Sequence, residues 1–237
     1  MNEPAKKKHT DGHRLRLRER FLRAGLDGLQ DYEAIELLLM FGIPRRDVKP
    51  LAKELLEAYG SLEKLLDATP ADLLDKHGMG ASSATLIVLI RELCAKYLEQ
   101  KVRNVDVCDS PAATERFLRM KLGGGRKETF MVIFLNSQNH VLEFQIFPGT
   151  VDRAAIYPRE IAEKCLRVGA SVVIIAHNHP SGVCVPSDSD LLTTRRILAA
   201  LKTINVTLLD HLIVTPSVCL SLRGNGTLKK LEIPFSE

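Results

Sequence analysis

Two histidines separated by one residue, then a serine and an aspartate, occupy positions His177, His179, Ser187 and Asp190. They lie in the run HNHPSGVCVPSDSD, residues 177–190, where the apolar stretch Ser171–His177 reads as a strand and Ser187–Lys202 as a helix. Alternate residues of a strand share a face, so His177 and His179 can present both imidazoles to one ion. Asp190 falls in the first turn of the helix, where a rigid element brings a carboxylate across to them. Three N/O ligands of this kind leave one position of a tetrahedral zinc open for water, the composition of a catalytic zinc site. Ser187 is also placed to cap the helix by accepting the Asp190 N–H, a structural role that needs no chemistry. Other zinc hydrolase patterns are absent: there is no H-E-x-x-H, and no H-x-E with a later P-C-x-x-C.

Neighbouring groups allow two readings each. Cys184, inside the loop, could bind a soft metal as thiolate, but it also reads as an incidental loop residue and is given no role. Asp210 and His211 are adjacent on an expected strand, where alternation sends them to opposite faces. One of them can support the ligands from behind, or both can be structural.

The elements that must position these residues follow a mixed pattern. Ser110-Pro111 opens a short helix that stops before Gly123-Gly124-Gly125. Strands are expected over Thr129–Leu135 and His140–Phe147, around the turn residues Asn136–Asn139. Pro158 opens a helix that Gly169 ends, and strands near Val206–Val214 and Cys219–Leu222 finish the unit. Strands interleaved with helices indicate an α/β or α+β domain over residues 110–237. Residues 13–99 show only helical spacing, with helices near Tyr32–Met40 (capped by Asp31), Leu51–Tyr59, Ser61–Leu66, Pro70–Lys76 and Ser82–Tyr97. The polar stretch 100–109 reads as the linker between two domains, giving an α+β chain overall. Residues 1–12 read as a basic flexible tail.

Composition sets bounds. Apolar residues make up 45% and charged ones 26% of 237 residues, enough for a core in each half. The longest apolar runs fall far short of the roughly 20 residues that span a bilayer, so no membrane partner is expected. No secretory signal pattern follows the basic start, and the five cysteines never form a C-x-x-C pair, which fits a reducing, cytoplasmic setting. Residues 1–25 hold eight Lys or Arg against three acids, a charge that can attract polyanions or simply solvate a tail.

The H-x-H-P…S-x-x-D pattern resembles the JAMM motif of metal-dependent peptidases and deubiquitinases of the JAB/MPN fold. With GHRLRLRERFL, IPRRDVKPLAKELL, HNHPSG and DHLIV, the chain resembles the RadC-like family from Gly12 to Leu228. That resemblance implies a JAB/MPN domain of the cytidine-deaminase-like type holding one Zn2+ on His177, His179 and Asp190. It also implies a glutamate, before an apolar strand tens of residues upstream, that acts on the attacking water. Glu128, followed by TFMVIFL, fits that place; Glu160 lies inside the helix opened by Pro158, and Glu143 on the second strand is a weaker rival. By the same analogy Ser187 donates a hydrogen bond to the developing oxyanion. The implied activity is hydrolysis of a peptide or isopeptide bond in a peptide or protein substrate.

Residues 73–84, LLDKHGMGASSA, resemble the helix-hairpin-helix of DNA-repair proteins, with Gly78 and Gly80 in the hairpin and Ala84 allowing close packing. Glycines let a backbone approach phosphate, and a helix N-terminus can bind an anion without reading sequence. Arg14, Arg16, Arg18, Arg20, Arg45 and Arg46 could add a basic surface, although Ser82-Ser83 lack the charge that would strengthen such contact. The alternative expectation is therefore a DNA-binding accessory protein in repair or recombination, whose JAB/MPN domain is not catalytic. A third is a metal-binding scaffold.

Overall fold

The computed structural model describes residues 7–103, 105–148 and 157–231. It divides into two compact units between Leu93 and Cys94. The expected two-domain α+β class is observed. Of the expected basic tail, positions 1–6 lie outside the described residues, and helix already begins at Lys7.

The N-terminal unit is helical: α1 (Lys7–Ala24), α2 (Asp31–Gly42), α3 (Lys49–Tyr59), α4 (Leu62–Leu66), α5 (Pro70–Leu74) and the start of α6 (Ala81–Arg103). Ile35, Leu39, Leu51, Leu55, Leu65, Leu73 and Ile87 form its core. Gln30, rather than Asp31, is the N-cap of α2, and its N–H donates to the Glu33 carboxylate. Asp31 is instead the first helical residue, where its charge still favours the helix N-terminus. A Cβ at Gly42 would stand 2.9 Å from Ser83 Cα, so the end of α2 meets α6 at a distance only glycine permits.

The polar stretch after Tyr97 differs from expectation, because α6 runs on to Arg103. Leu98 and Val102, one helical turn apart, pack into the core of the C-terminal unit, which carries the helix into what reads as linker.

The C-terminal unit has a five-stranded mixed sheet in the order β2-β1-β3-β4-β5. Its elements are α7 (Pro111–Leu118), a π turn (Arg119–Gly123), β1 (Thr129–Leu135), β2 (Val141–Pro148), α8 (Pro158–Val168), β3 (Val172–Asn178), α9 (Asp188–Lys202), β4 (Thr207–Val214), β5 (Cys219–Ser221) and α10 (Thr227–Leu231). Pairing is parallel between β3 and β4 and antiparallel elsewhere. The sheet is covered on both faces: Phe130, Val132, Val173 and Ile175 pack with Ile161 of α8 and Ile197 of α9, whereas Met131, Ile133, Ile174 and Ala176 pack with Phe117 and Leu118 of α7. That is why β1 and β3 are continuous apolar runs instead of alternating ones. Gly169, at φ 70, ends α8 in the left-handed conformation that its expected stop requires.

Among the described residues no helix is long and apolar enough to cross a membrane.

Candidate metal centre

Three elements converge at the end of β3. His177 is its penultimate residue, His179 follows it into the loop, and Asp190 stands in the first turn of α9. Antiparallel pairing of Phe130 with His177 fixes the fourth member, because Glu128 lies two residues before Phe130 and alternation returns it to the same face. Glu128, His177, His179 and Asp190 each offer a ligand atom, all within 4.8 Å of one another. His177 Nε2 lies 2.9 Å from His179 Nε2, 3.2 Å from Asp190 Oδ1 and 3.9 Å from Glu128 Oε1; His179 Nε2 lies 3.4 Å from Asp190 Oδ2. His177 is almost wholly buried, whereas the Glu128 side chain is 47% exposed at the mouth of the group. A cavity of about 860 Å³ opens there, walled by Phe130, Tyr157, Pro158 and Leu192.

The donor set suits a cation. His179 Nδ1 is 2.8 Å from the Val183 carbonyl oxygen, which carries no hydrogen, so Nδ1 must donate. If the ring carries that hydrogen alone, a bare Nε2 lone pair faces a carboxylate, an arrangement that repels unless a positive centre lies between. Burial alone would raise the Asp190 carboxyl, but its hydrogen bond to His177, that ring's charge and two hydrogen bonds from Ser187 hold it well below the usual carboxylate range. Asp190 is an anion at neutral pH, as a metal ligand must be.

Ser187 is the N-cap of α9. Its hydroxyl accepts the Asp190 N–H at 3.2 Å and donates to Asp190 Oδ2 at 2.7 Å, and its own N–H donates to the same oxygen at 2.7 Å. This capping box orients the carboxylate.

Two supporting groups lie deeper. A bulge in the β3–β4 pairing, between Val173 and Ile174, shifts β4 by one residue. His211 thereby turns toward His177, with Nε2 at 2.8 Å from His177 Nδ1, while Asp210 turns to the opposite face and accepts hydrogen bonds from Ser221 and the Arg223 N–H. Burial, and then the charge of His177, lower the His211 imidazole to about 3. Asn178, between His177 and His179, points to the other side of β3. Its side chain is fully buried and clamps the chain around Glu128, donating to the Gly125 and Lys127 carbonyls at 3.0 and 3.1 Å and accepting the Thr129 N–H at 2.7 Å.

Comparison with known proteins fits this geometry. Residues 108–227 match the model of the RadC-like JAB domain, and residues 12–85 match the UPF0758 N-terminal domain. UPF0758 protein FN0909 of Fusobacterium nucleatum subsp. nucleatum is 38% identical over 229 residues, covering 93% of this chain and 99% of that relative. The chain belongs to the RadC-like family.

Within this RadC-like JAB domain the remaining sequence candidates separate from the centre. Glu160 is an exposed residue in the first turn of α8 and Glu143 pairs with Lys164; neither is in the cluster. The Cys184 thiol, raised by burial, donates to the Ile213 carbonyl oxygen at 3.4 Å and stays outside the ligand group.

In the UPF0758 N-terminal domain, Gly78 takes φ 87 in the hairpin, and a Cβ there would meet Arg46 Nη2 at 2.7 Å. The Gly80 N–H is satisfied within the hairpin by Ser83 Oγ. Arg14 donates to the Met40, Ile43 and Arg46 carbonyls, and Arg20 pairs with Glu33, so both brace the helices. Arg16, Arg18, Arg45 and Arg46 are exposed.

Asn178, the orientation of His211 and Thr194, whose Oγ1 lies 2.6 Å from His211 Nδ1, were missed by sequence reasoning. Only Asn178 left a local signal, a polar residue ending an apolar run where either side must be satisfied.

Proposed function

We propose that this protein is a zinc-dependent hydrolase that cleaves peptide or isopeptide bonds. The observation that carries this reading is the exposed carboxylate of Glu128 beside the largely buried His177, His179 and Asp190, at the mouth of a cavity of about 860 Å³. His177, His179 and Asp190 hold the ion. Zinc in such a site polarises a carbonyl and makes a water more acidic. Glu128, free of any ligand duty, accepts the proton of the attacking water and returns it to the leaving nitrogen. The apolar walls provided by Phe130, Tyr157 and Leu192 favour an apolar residue beside the reacting bond. Ser187 acts through Asp190, whose carboxylate it orients; its hydroxyl reaches a substrate oxygen only by turning its proton away from Oδ2.

Metal analysis of the purified protein tests this, combined with cleavage of peptide and isopeptide libraries. Wild type and Glu128→Gln should both carry one zinc, His177→Ala none, and Glu128→Gln should cleave at least about a hundredfold more slowly. A wild type that takes up no zinc on reconstitution overturns the reading.

A further inference from the structure

We propose that Thr194 and His211 are positioning residues that set the tautomer of His177 and so present its Nε2 lone pair to the metal. The inference rests on the reading of His177 as a ligand, but its own content is the placement of three hydrogens.

The chain of contacts starts at an atom that cannot donate. Thr194 Oγ1 is 2.6 Å from the main-chain carbonyl oxygen of Asp190 and 2.6 Å from His211 Nδ1. The carbonyl has no hydrogen, so the hydroxyl proton goes to it, and Oγ1 is left to accept. His211 Nδ1 must therefore carry a hydrogen. Among the described residues no carboxylate contacts either ring nitrogen of His211, and the residue is fully buried, so the ring is neutral and its Nε2 is an acceptor. That nitrogen is 2.8 Å from His177 Nδ1, which must then be the donor. In the neutral ring, the form in which a histidine holds a metal, this leaves Nε2 unprotonated and facing His179 Nε2 and Asp190 Oδ1. Reversing every hydrogen would leave Thr194 Oγ1 and the Asp190 carbonyl as two acceptors at 2.6 Å, so the carbonyl decides the direction.

The fold explains why side chains are needed. His177 lies inside β3, paired with β1 on one side and β4 on the other, so neighbouring main-chain carbonyls are committed to the sheet. His179, already in the loop, uses a free carbonyl at Val183 for the same purpose. Thr194 lies one helical turn beyond Asp190 on α9, so the relay that begins at one ligand ends on the backbone of another. Ligand orientation by the hydrogen bond on the far ring nitrogen is a general requirement of histidine metal sites.

The test uses Thr194→Val, which keeps the shape and removes the hydroxyl, with Thr194→Ser as the conservative rescue. Zinc affinity, read by competition with a chromophoric chelator, should fall about 10- to 100-fold in Thr194→Val and stay near wild type in Thr194→Ser. In the zinc-free wild type, 15N–1H correlation of the imidazoles should show the hydrogen of the neutral His177 ring on Nδ1. Folded Thr194→Val with wild-type affinity overturns the proposal. So does a neutral wild-type His177 ring whose hydrogen is on Nε2, a result that needs no variant to fold. Failure of the wild type to bind zinc would instead strike the metal reading, while the tautomer measurement still decides the relay.

Discussion

Each unit of this protein sets a histidine against a buried carboxylate, and the two arrangements differ in how many groups converge. In the N-terminal unit His13 Nε2 meets the buried Glu36 carboxylate at 2.7 Å, one group to one partner. In the C-terminal unit two histidines turn Nε2 toward each other and toward Asp190, and Glu128 stands beside them in the open. The first is a single contact through Glu36 Oε1, and the buried Oε2 has no hydrogen-bond partner among the described residues. The second converges several electron-rich atoms on one point, so its stability depends on what occupies that point.

The sharpest way to break the comparison is to add the ion. Zinc at a thousandfold excess over its dissociation constant should stabilise the C-terminal unit by about 4 kcal/mol. Denaturant unfolding with and without zinc should show this gain in wild type and in Glu36→Gln, and lose it in Asp190→Asn. Equal gains in Asp190→Asn and wild type would mean that zinc acts elsewhere.

A smaller effect, set by pH, belongs to the open cluster. The buried His211 ring resists protonation down to about 3, whereas in the unfolded chain it titrates near its ordinary 6.5. Between these values the unfolded state binds the extra proton, so stability is full above about 6.5 and falls as pH drops toward about 3. The slope approaches about 1.4 kcal/mol per pH unit for one group. Asp190 adds to the loss at the acid end: its folded carboxyl is depressed, so its contribution is complete above its ordinary 3.8 and declines as pH falls below it. Urea midpoints of the metal-free protein between pH 7 and 5 measure the His211 share, which His211→Asn should remove. A wild-type midpoint that stays level across that range would contradict the buried neutral ring.

How far the sequence discloses the site follows from which contacts are local. His177, His179 and Asp190 lie on one strand–loop–helix segment, so alternation along β3 and the first turn of α9 suffice to bring them together. Glu128 comes from another strand, and only the family resemblance points to it; its physical cause is the pairing of Phe130 with His177. His211 was visible as one of two adjacent candidates, but the bulge in the β3–β4 pairing decides which of them faces the ligands. Thr194 looks like any other polar helix position until β4 is laid beside α9. The same limit explains α6, whose extension to Arg103 depends on Leu98 and Val102 finding a core formed by residues further along the chain.

The smallest effect concerns Ser187, where capping and metal binding meet. Ser187→Ala removes the hydroxyl that accepts the Asp190 N–H and donates to Oδ2, and loss of such a cap costs about 1 kcal/mol. The backbone N–H of residue 187 still donates to Oδ2, so the carboxylate keeps part of its orientation. Thermal unfolding of the metal-free variant should therefore show a modest loss that Ser187→Thr restores, while zinc affinity drops by less than about tenfold. Complete loss of zinc in Ser187→Ala would make the hydroxyl itself a ligand. The cluster would then already include the group that the capping geometry assigns to the helix, and the contrast with the two-residue His13–Glu36 pair would have to be redrawn around five residues.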